Sequence, residues 1–194
     1  ANIGTDTLDS ITYVFGSDHD DILTVDGSYQ AGFGNFVEFE AGAGNDEFYA
    51  NGTGRIGYRT ALDGVIVDLD LGTGASTNAG DTANVGVDTF SGINQIRGSE
   101  FDDTLLGTWN GGYEGFRPRG GNDFVDGRGG FNDEVRYSGA SGSVIVDLGV
   151  NNQTTAIITD ADGFGGPDNI LGIEQLGGGQ YDDQLFGDNN DNRL

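Results

Sequence analysis

The segment Asp88-Thr-Phe-Ser-Gly-Ile-Asn-Gln-Ile-Arg-Gly-Ser-Glu-Phe-Asp-Asp-Thr-Leu105 is repeated twice elsewhere in this chain. One copy runs from Asp6 to Leu23 and aligns without gaps, and the other runs from Asp168 to Leu185. The copies begin at nearly equal intervals, and in each of them a second aspartate follows at the same distance, at Asp21, Asp103 and Asp183. Self-similarity at a fixed period is typical of repeat architectures in which each unit stacks on the next. We therefore expect one continuous solenoid, with an N-terminal lead-in (1–5), two units (6–87 and 88–167) and a truncated third unit (168–194).

The repeated segments predict short β-strands. Gly64-Val-Ile-Val-Asp-Leu69 and its copy Ser143-Val-Ile-Val-Asp-Leu148 alternate along the chain, so that Val65 and Val67 point to one side and Ile66 to the other. Alternation with a period of two residues is typical of a strand. Little helical periodicity is present elsewhere. The expected fold class is therefore all-β.

Aspartates stand at the start of many of these short apolar segments. Each candidate carboxylate is followed two residues later by an apolar side chain, and a glycine often lies two residues before it. Glycine permits a turn with positive φ that brings carbonyl oxygens together, and carboxylates are the hard oxygen ligands that calcium prefers. The pattern predicts calcium-binding turns that cap short strands. The candidate ligands are Asp6, Asp21, Asp46, Asp88, Asp103, Asp123, Asp133, Asp168 and Asp183, with their neighbours Asp20, Asp102, Asp182, Asn45, Asn122, Gly44 and Gly121.

The charge of the chain predicts a requirement for cations. Acidic residues number 32 and basic residues 8, all of them arginine, which gives a formal net charge of −24. Two carboxylates about 5 Å apart repel by roughly 3 kcal/mol at an effective dielectric constant near 20. We expect the chain to be disordered without a divalent cation, and the acidic excess disfavours nucleic acid as a partner. Cysteine is absent, so metal would have to replace disulfides, and no apolar run approaches the ~18 residues of a membrane span.

Two of the aspartate turns match a known calcium-binding pattern. Ala41-Gly-Ala-Gly-Asn-Asp46-Glu-Phe-Tyr49 and Gly120-Gly-Asn-Asp123-Phe-Val-Asp-Gly127 resemble the nonapeptide Gly-Gly-x-Gly-x-Asp-x-apolar-x of the RTX (repeats-in-toxin) family. The resemblance implies a right-handed parallel β-roll in which calcium lies between turns, held by aspartate side chains and glycine-turn carbonyls. It also implies export as an unfolded chain through a type I system, and hence an extracellular or cell-surface location.

The match to the nonapeptide is not uniform. The turns that end at Asp103 and Asp183 lack the fourth-position glycine, and Asn192 stands at the key position of a further turn. The spacing from Asp103 to Asp123, and from Asp123 to Asp133, is slightly longer than a whole number of nonapeptides. These departures predict fewer and less regularly placed ions than in a regular array.

Two competing interpretations are less well supported. Asp160-Ala-Asp162-Gly-Phe-Gly165 begins like an EF-hand loop, but the oxygen ligands of the fifth and twelfth positions are missing. His19, the single histidine, corresponds to Phe101 and Tyr181 in the other copies. A position shared by His, Phe and Tyr favours packing or surface cover over acid–base catalysis, so we expect no enzyme activity.

Basic and aromatic residues each leave two interpretations open. The arginine cluster Arg117, Arg119, Arg128 and Arg136 fits ion pairs with the acidic scaffold, or the binding of an acidic polysaccharide. Aromatic residues cluster at 33–49 and 109–116, with matching positions in both clusters. Because this arrangement recurs, core packing is favoured over a platform for stacking sugars.

The features together predict a calcium-binding, non-catalytic structural or adhesive repeat module of a secreted or cell-surface bacterial protein. Its expected partners are calcium ions and either other copies of itself or an extracellular polysaccharide. The alternative, implied by the family resemblance, is an accessory module of a type I-secreted enzyme such as an alginate epimerase or a protease. The full-length sequence would separate them, because further units of the same kind favour the first and a catalytic domain favours the second.

Overall fold

The computed structural model describes residues 11–25, 36–50, 52–149 and 167–194. Within these ranges the regular elements are 17 short strands, with no helix, and accordingly no helix that could span a membrane. The all-β prediction is confirmed. Asp6 and the EF-hand-like segment 160–165 lie outside the described residues. The strands are β1 (Tyr13–Phe15), β2 (Ile22–Thr24), β3 (Val37–Glu40), β4 (Glu47–Tyr49), β5 (Gly54–Gly57), β6 (Val65–Asp68), β7 (Thr73–Ser76), β8 (Val87–Ser91), β9 (Gln95–Arg97), β10 (Thr104–Leu106), β11 (Gly115–Arg117), β12 (Phe124–Asp126), β13 (Glu134–Arg136), β14 (Ile145–Asp147), β15 (Asn169–Leu171), β16 (Gln175–Gly177) and β17 (Gln184–Phe186).

The strands form two large sheets that are mainly parallel. Sheet I has seven strands in the order β1-β3-β5-β9-β11-β13-β16, all parallel. Sheet II has eight strands in the order β15-β12-β10-β6-β7-β8-β4-β2, and only β7 runs antiparallel to its neighbours. From β9 to β13 the chain passes from one sheet to the other at every strand. Parallel neighbours are therefore brought together from different turns of the chain, and each strand depends on the turn before and after it.

The pairing of strands repeats along the chain. β6 pairs with β10 in parallel, and their equivalents one unit later, β14 and β17, pair in the same way. Tyr58, which follows β5, donates a hydrogen bond to Asp88 at 2.9 Å, and Tyr137, which follows β13, donates one to Asp168 at 2.7 Å. Equivalent residues of the two segments therefore make equivalent long-range contacts.

The core lies on the inner side of the strands, most of which are only three residues long. The central residue of each strand is usually buried and its neighbours are at least partly exposed, as the alternating sequence predicts. In β6, Val65 and Val67 are fully buried and Ile66 is 41% exposed, which confirms the predicted orientation. The largest contributors from other strands are Phe39, Phe48, Ile56, Ile96, Leu105 and Phe116.

The prediction that the aromatic clusters pack in the core is correct only in part. Phe39, Phe48 and Phe116 are buried, whereas Trp109 is 67% exposed and Tyr113 is 39% exposed. The indole of Trp109 lies in the turn after β10, with the guanidinium of Arg128 5.5 Å from its ring centre. Trp109 therefore lies on the surface of a turn and not in the core.

Removal of a central apolar side chain should destabilise the protein strongly. Leu105→Ala removes a fully buried side chain, and we expect the free energy of unfolding to fall by about 2–5 kcal/mol. Ile66→Ala, on the adjacent strand β6 but on the outer face, should change it by no more than about 0.5 kcal/mol. Urea denaturation at saturating calcium measures both, and equal losses for the two variants would contradict this assignment of the core.

Candidate functional site

The predicted calcium ligands lie at the starts of strands, mostly those of sheet II. Asp21, Asp46, Asp103 and Asp123 immediately precede β2, β4, β10 and β12, and Asp133 precedes β13 of sheet I. Six of the eight described aspartates that are followed two residues later by an apolar side chain are buried, although they carry a charge when ionised. Those with 2% exposure or less are Asp46, Asp88, Asp103, Asp123, Asp133 and Asp168.

One oxygen of each buried aspartate accepts a hydrogen bond from the backbone of a neighbouring turn. Asp46 Oδ1 accepts from the Asp21 amide and Asp88 Oδ1 from the Asp46 amide, both at 2.9 Å. In the second half, Asp123 Oδ1 accepts from the Asp103 amide at 2.8 Å and Asp168 Oδ1 from the Asp123 amide at 2.9 Å. The two aspartate rows are Asp21–Asp46–Asp88 and Asp103–Asp123–Asp168.

The same contact extends beyond the two rows. Asp103 Oδ1 accepts from the Val65 amide at 2.8 Å, and Asp183 Oδ1 from the Val144 amide at 2.9 Å. In sheet I, Asp133 Oδ1 accepts from the Glu114 amide at 2.9 Å. These aspartates therefore join successive turns through the backbone, a role that the sequence analysis did not assign to them.

The second carboxylate oxygen is satisfied locally in some of the turns. In three turns that lack the glycine pattern, it accepts a hydrogen bond from the backbone amide four residues earlier. These contacts are Ser17 to Asp21 at 2.6 Å, Ser99 to Asp103 at 2.7 Å and Gly179 to Asp183 at 2.6 Å. At the far ends of the rows, the donors to Asp88 and Asp168 are the hydroxyls of Tyr58 and Tyr137. The recurrence of these tyrosines at equivalent positions of the two units is the sequence signal that would have identified them.

Three buried carboxylate oxygens are left without a hydrogen-bond partner among the residues that the structure describes. They are Oδ2 of Asp46, Asp123 and Asp133. Asp46 and Asp123 belong to the two turns that match the nonapeptide pattern. In these turns Gly44 and Gly121 have φ of +121° and +123°, and a Cβ at either glycine would overlap the backbone of His19 or Phe101 in the adjacent turn. The glycine turns therefore stack closely but supply no side-chain donor to the second oxygen.

The remaining predicted ligands lie on the outer side of the turns. Asp20 Oδ1 accepts from the Asn45 amide, and Asp102 Oδ1 from the Asn122 amide, each at 2.8 Å. Both carboxylates are exposed. They form an outer set of inter-turn hydrogen bonds parallel to the buried rows. Asp182 is also exposed, as is His19.

Burial makes the charge of these carboxylates costly. It raises the pKa of Asp46 to about 6 and the pKa values of Asp88, Asp103 and Asp133 to about 7. Burial, reinforced by the nearby carboxylates of Asp168 and Asp103, raises the pKa of Asp123 to about 9. A carboxyl group in such a setting is stabilised by binding either a proton or a cation.

The arrangement can contribute to a calcium site but does not complete one with side chains. Calcium binds about six to eight oxygens, and Asp46 and Asp123 each offer one buried oxygen that has no other partner within the described residues. Within the described ranges no three acidic or histidine side chains converge as a metal cluster. A cation at these turns would therefore draw its other ligands from backbone carbonyls and water.

The arginine cluster expected from the sequence is divided between the two sheets. Arg128, after β12, forms an ion pair with Asp68 of β6 at 2.8 Å. Arg119 pairs with Glu100 and Arg136 with Glu134, so the ion-pair interpretation is confirmed for these three arginines. The guanidinium group of Arg117 forms neither a hydrogen bond nor an ion pair with the residues that the structure describes.

No protein-family model and no curated protein matches this chain. Membership of the RTX family, and the calcium ligands that the resemblance implies, remain predictions.

The stability of the metal-free protein should rise as the pH falls from about 9 to about 5. A carboxyl group whose pKa is higher in the folded state than in the unfolded state binds more protons when folded, so acidification favours the fold. The raised pKa values of Asp88, Asp103, Asp123 and Asp133 place this change near and above neutral pH. Circular dichroism in chelator at a series of pH values measures it, because the β signal reports the fraction of the protein that is folded. A β signal that falls steadily on acidification over this range would show that these carboxylates are not buried as described.

Proposed function

We propose that this chain is a calcium-binding, non-catalytic structural and adhesive repeat module of a secreted or cell-surface bacterial protein, which folds when it binds calcium outside the cell. The observation that carries the proposal is the set of buried oxygens of Asp46, Asp123 and Asp133, unpartnered within the described residues, in a chain of net charge −24. An unpaired buried carboxylate is strongly unfavourable. A bound dication removes this penalty and also reduces the repulsion among the other acids.

The proposed calcium positions are the glycine turns at Asp46 and Asp123, with Asp133 as a third. The serine-type turns at Asp21 and Asp103 supply their own donor to the second oxygen, so they need no ion to satisfy it. This division agrees with the expectation of few, irregularly placed ions. In each proposed site the carboxylate keeps its Oδ1 contact to the neighbouring turn and offers Oδ2 to the metal.

Calcium is the cation best suited to these turns. Its ligands are oxygen atoms in flexible geometry, which carboxylates, carbonyls and water can supply without a rigid cage. One bound ion stabilises a fold by about 2.7 kcal/mol when free calcium is about a hundred times the dissociation constant. Several such ions would make folding conditional on the high calcium concentration outside the cell, and export as an unfolded chain would then be compatible with the low calcium of the cytosol.

For the architecture we propose a right-handed parallel β-roll or β-solenoid, in which each turn contributes one strand to each sheet. The alternation of the chain between sheets I and II from β9 to β13 supports this. Right-handed crossovers between parallel strands are strongly preferred. The segment β6–β7–β8 departs from the simple turn, because it adds three consecutive strands to sheet II.

Calcium should induce both the β-sheet signal and stability at pH 8. We expect circular dichroism in chelator to show a largely disordered chain, and titration with calcium to produce the β spectrum. Magnesium at the same concentration is the control, because it demands a smaller, near-octahedral site and releases its water reluctantly. An unchanged folded spectrum in chelator, with no effect of calcium on the urea midpoint, would refute calcium-dependent folding.

A pair of substitutions should separate metal-binding from structural aspartates. Asp123→Asn keeps an oxygen for the Asp103 amide but removes the charge, so it should abolish about 2.7 kcal/mol of the stabilisation by calcium at a hundredfold excess over the dissociation constant. In chelator at pH 8 it should not lower the β signal below that of the unsubstituted protein. Asp103→Asn places an NH₂ group against the Val65 or Ser99 donors and should cost about 1–3 kcal/mol at every calcium concentration at which the protein is folded.

Urea denaturation of the two variants at limiting and at saturating calcium, together with circular dichroism in chelator, measures these differences. If Asp103→Asn loses the calcium increment and Asp123→Asn retains it, the proposed assignment of sites is reversed and therefore wrong.

A further inference from the structure

The outer face of sheet I carries a row of arginines on adjacent strands. The backbone register aligns Gly57 of β5 with Arg97 of β9, and Arg97 with Arg117 of β11. Phe116 aligns with Val135, so Arg136, the next residue of β13, continues the line. We call Arg97, Arg117 and Arg136 the arginine row. Adjacent strands lie about 4.8 Å apart, so the row spans roughly 10 Å.

This face is positively charged although the whole chain is strongly acidic. Arg59 and Arg119 join the arginine row around a cavity of about 220 Å³. Together with Arg55, which lies on the same face, this makes six arginines. Five of them form ion pairs, and these pairs involve only four glutamates. The six arginines and four glutamates together carry two net positive charges. The glutamates are Glu38, Glu40, Glu100 and Glu134. The chain as a whole carries −24.

The positive charge of the arginine row is incompletely neutralised by the part of the protein that the structure describes. Arg97 pairs with Glu38 and Arg136 with Glu134, but the guanidinium group of Arg117 between them forms no hydrogen bond or ion pair within the described residues. Burial and the neighbouring Arg97 lower the pKa of Arg117. The buried Nε of Arg119, on the same cavity, also has no partner within these residues. Guanidinium groups in this position have donors available for a ligand.

The internal repeat shows that strands of this kind form without arginine at these positions. When the copies are aligned, the position of Arg97 is occupied by Phe15 in the first copy and by Gly177 in the third. Arg117 corresponds to Glu40, because each directly follows an equivalent core phenylalanine, Phe116 or Phe39. The inward-facing residues of these strands stay apolar from copy to copy, whereas the outward-facing arginines occur in one copy only. Such a difference is expected of residues that contact a partner rather than maintain the sheet.

We infer that the arginine row binds a short linear ligand that carries two or more carboxylate or sulfate groups, the chemistry of an acidic oligosaccharide. The guanidinium group presents a planar pair of donors that matches the two oxygens of a carboxylate. Three guanidinium groups on adjacent strands can therefore bind successive acidic groups of one ligand. The acidic surface beyond the row repels a long polyanion such as nucleic acid, which limits the ligand to a local contact. The inference rests on the proposed adhesive role and gives it a ligand class, but it requires only the folded sheet and not the calcium sites.

Binding of trigalacturonate, with maltotriose as the neutral control, tests this inference. Arginine Nε–Hε signals in NMR spectra report binding, with equal saturating calcium in all solutions and circular dichroism to verify that each protein is folded. We expect trigalacturonate to shift these signals and to bind at least 10-fold more tightly than sodium sulfate, since it can span two guanidinium groups. Binding no tighter than that of maltotriose, or of sulfate alone, would overturn the inference.

Variants locate the contact. Arg117→Gln and Arg136→Gln should each weaken trigalacturonate binding at least 10-fold, with the β spectrum retained. Arg128→Gln makes the same change in net charge on sheet II and should weaken binding less than 2-fold. Unchanged affinity in both row variants, or an equal loss in Arg128→Gln, would contradict a site at the row. If the calcium proposal is wrong, circular dichroism will show a folded protein in chelator, whatever the result of the binding experiments. If this inference is wrong, specific binding of trigalacturonate will be missing although the protein is folded. The two failures can therefore be told apart.

Discussion

The hydrogen bond from a backbone amide of one turn to a buried aspartate of another is the contact on which this structure depends. The strands are mostly three residues long, so each one supplies few ladder hydrogen bonds and one central apolar side chain. The amide at the start of a strand would be unpaired if the neighbouring turn offered only carbon atoms, at a cost of about 1–3 kcal/mol. Oδ1 of Asp46, of Asp123 and of the equivalent aspartates accepts a hydrogen bond from this amide. The aspartate and the apolar residue two positions later therefore act together, one joining turns through the backbone and the other filling the core.

The same contact requires a buried carboxylate, and the two kinds of turn stabilise this carboxylate differently. Serine-type turns surround the carboxylate with donors from their own backbone and hydroxyl, as around Asp103. Glycine turns bring the backbone of adjacent turns closer, as at Gly44 and Gly121, and leave Oδ2 unpartnered within the described residues. The two kinds of turn are neighbours within a row. A glycine turn that can bind a proton or a cation therefore lies next to a serine-type turn whose own backbone and hydroxyl already donate hydrogen bonds to its carboxylate. This explains in physical terms how a chain with an irregular nonapeptide pattern could fold with only a few ions.

Much of the fold was accessible from the sequence because its period is visible there. The alternation of Val65, Ile66 and Val67 predicted the correct faces of β6, and the scarcity of helical periodicity predicted the all-β class. The role of the aspartates as acceptors for neighbouring turns was not accessible, because it depends on which turns are adjacent in space. Asp123, for instance, bonds to residues 20 positions before and 45 positions after it. The arginines were misgrouped for the same reason: Arg128 is close to Arg119 in sequence but pairs with Asp68 on sheet II, whereas Arg97, distant in sequence, aligns with Arg117.

A crystal structure at saturating calcium, with the ions identified by their anomalous scattering, would show whether the glycine turns bind calcium. We expect calcium at about 2.3–2.6 Å from Oδ2 of Asp46 and of Asp123, while Asp103 keeps its contacts to Ser99 and Val65. Ordered turns with no ion at either glycine turn, or ions bound instead at Asp21 and Asp103, would contradict this expectation.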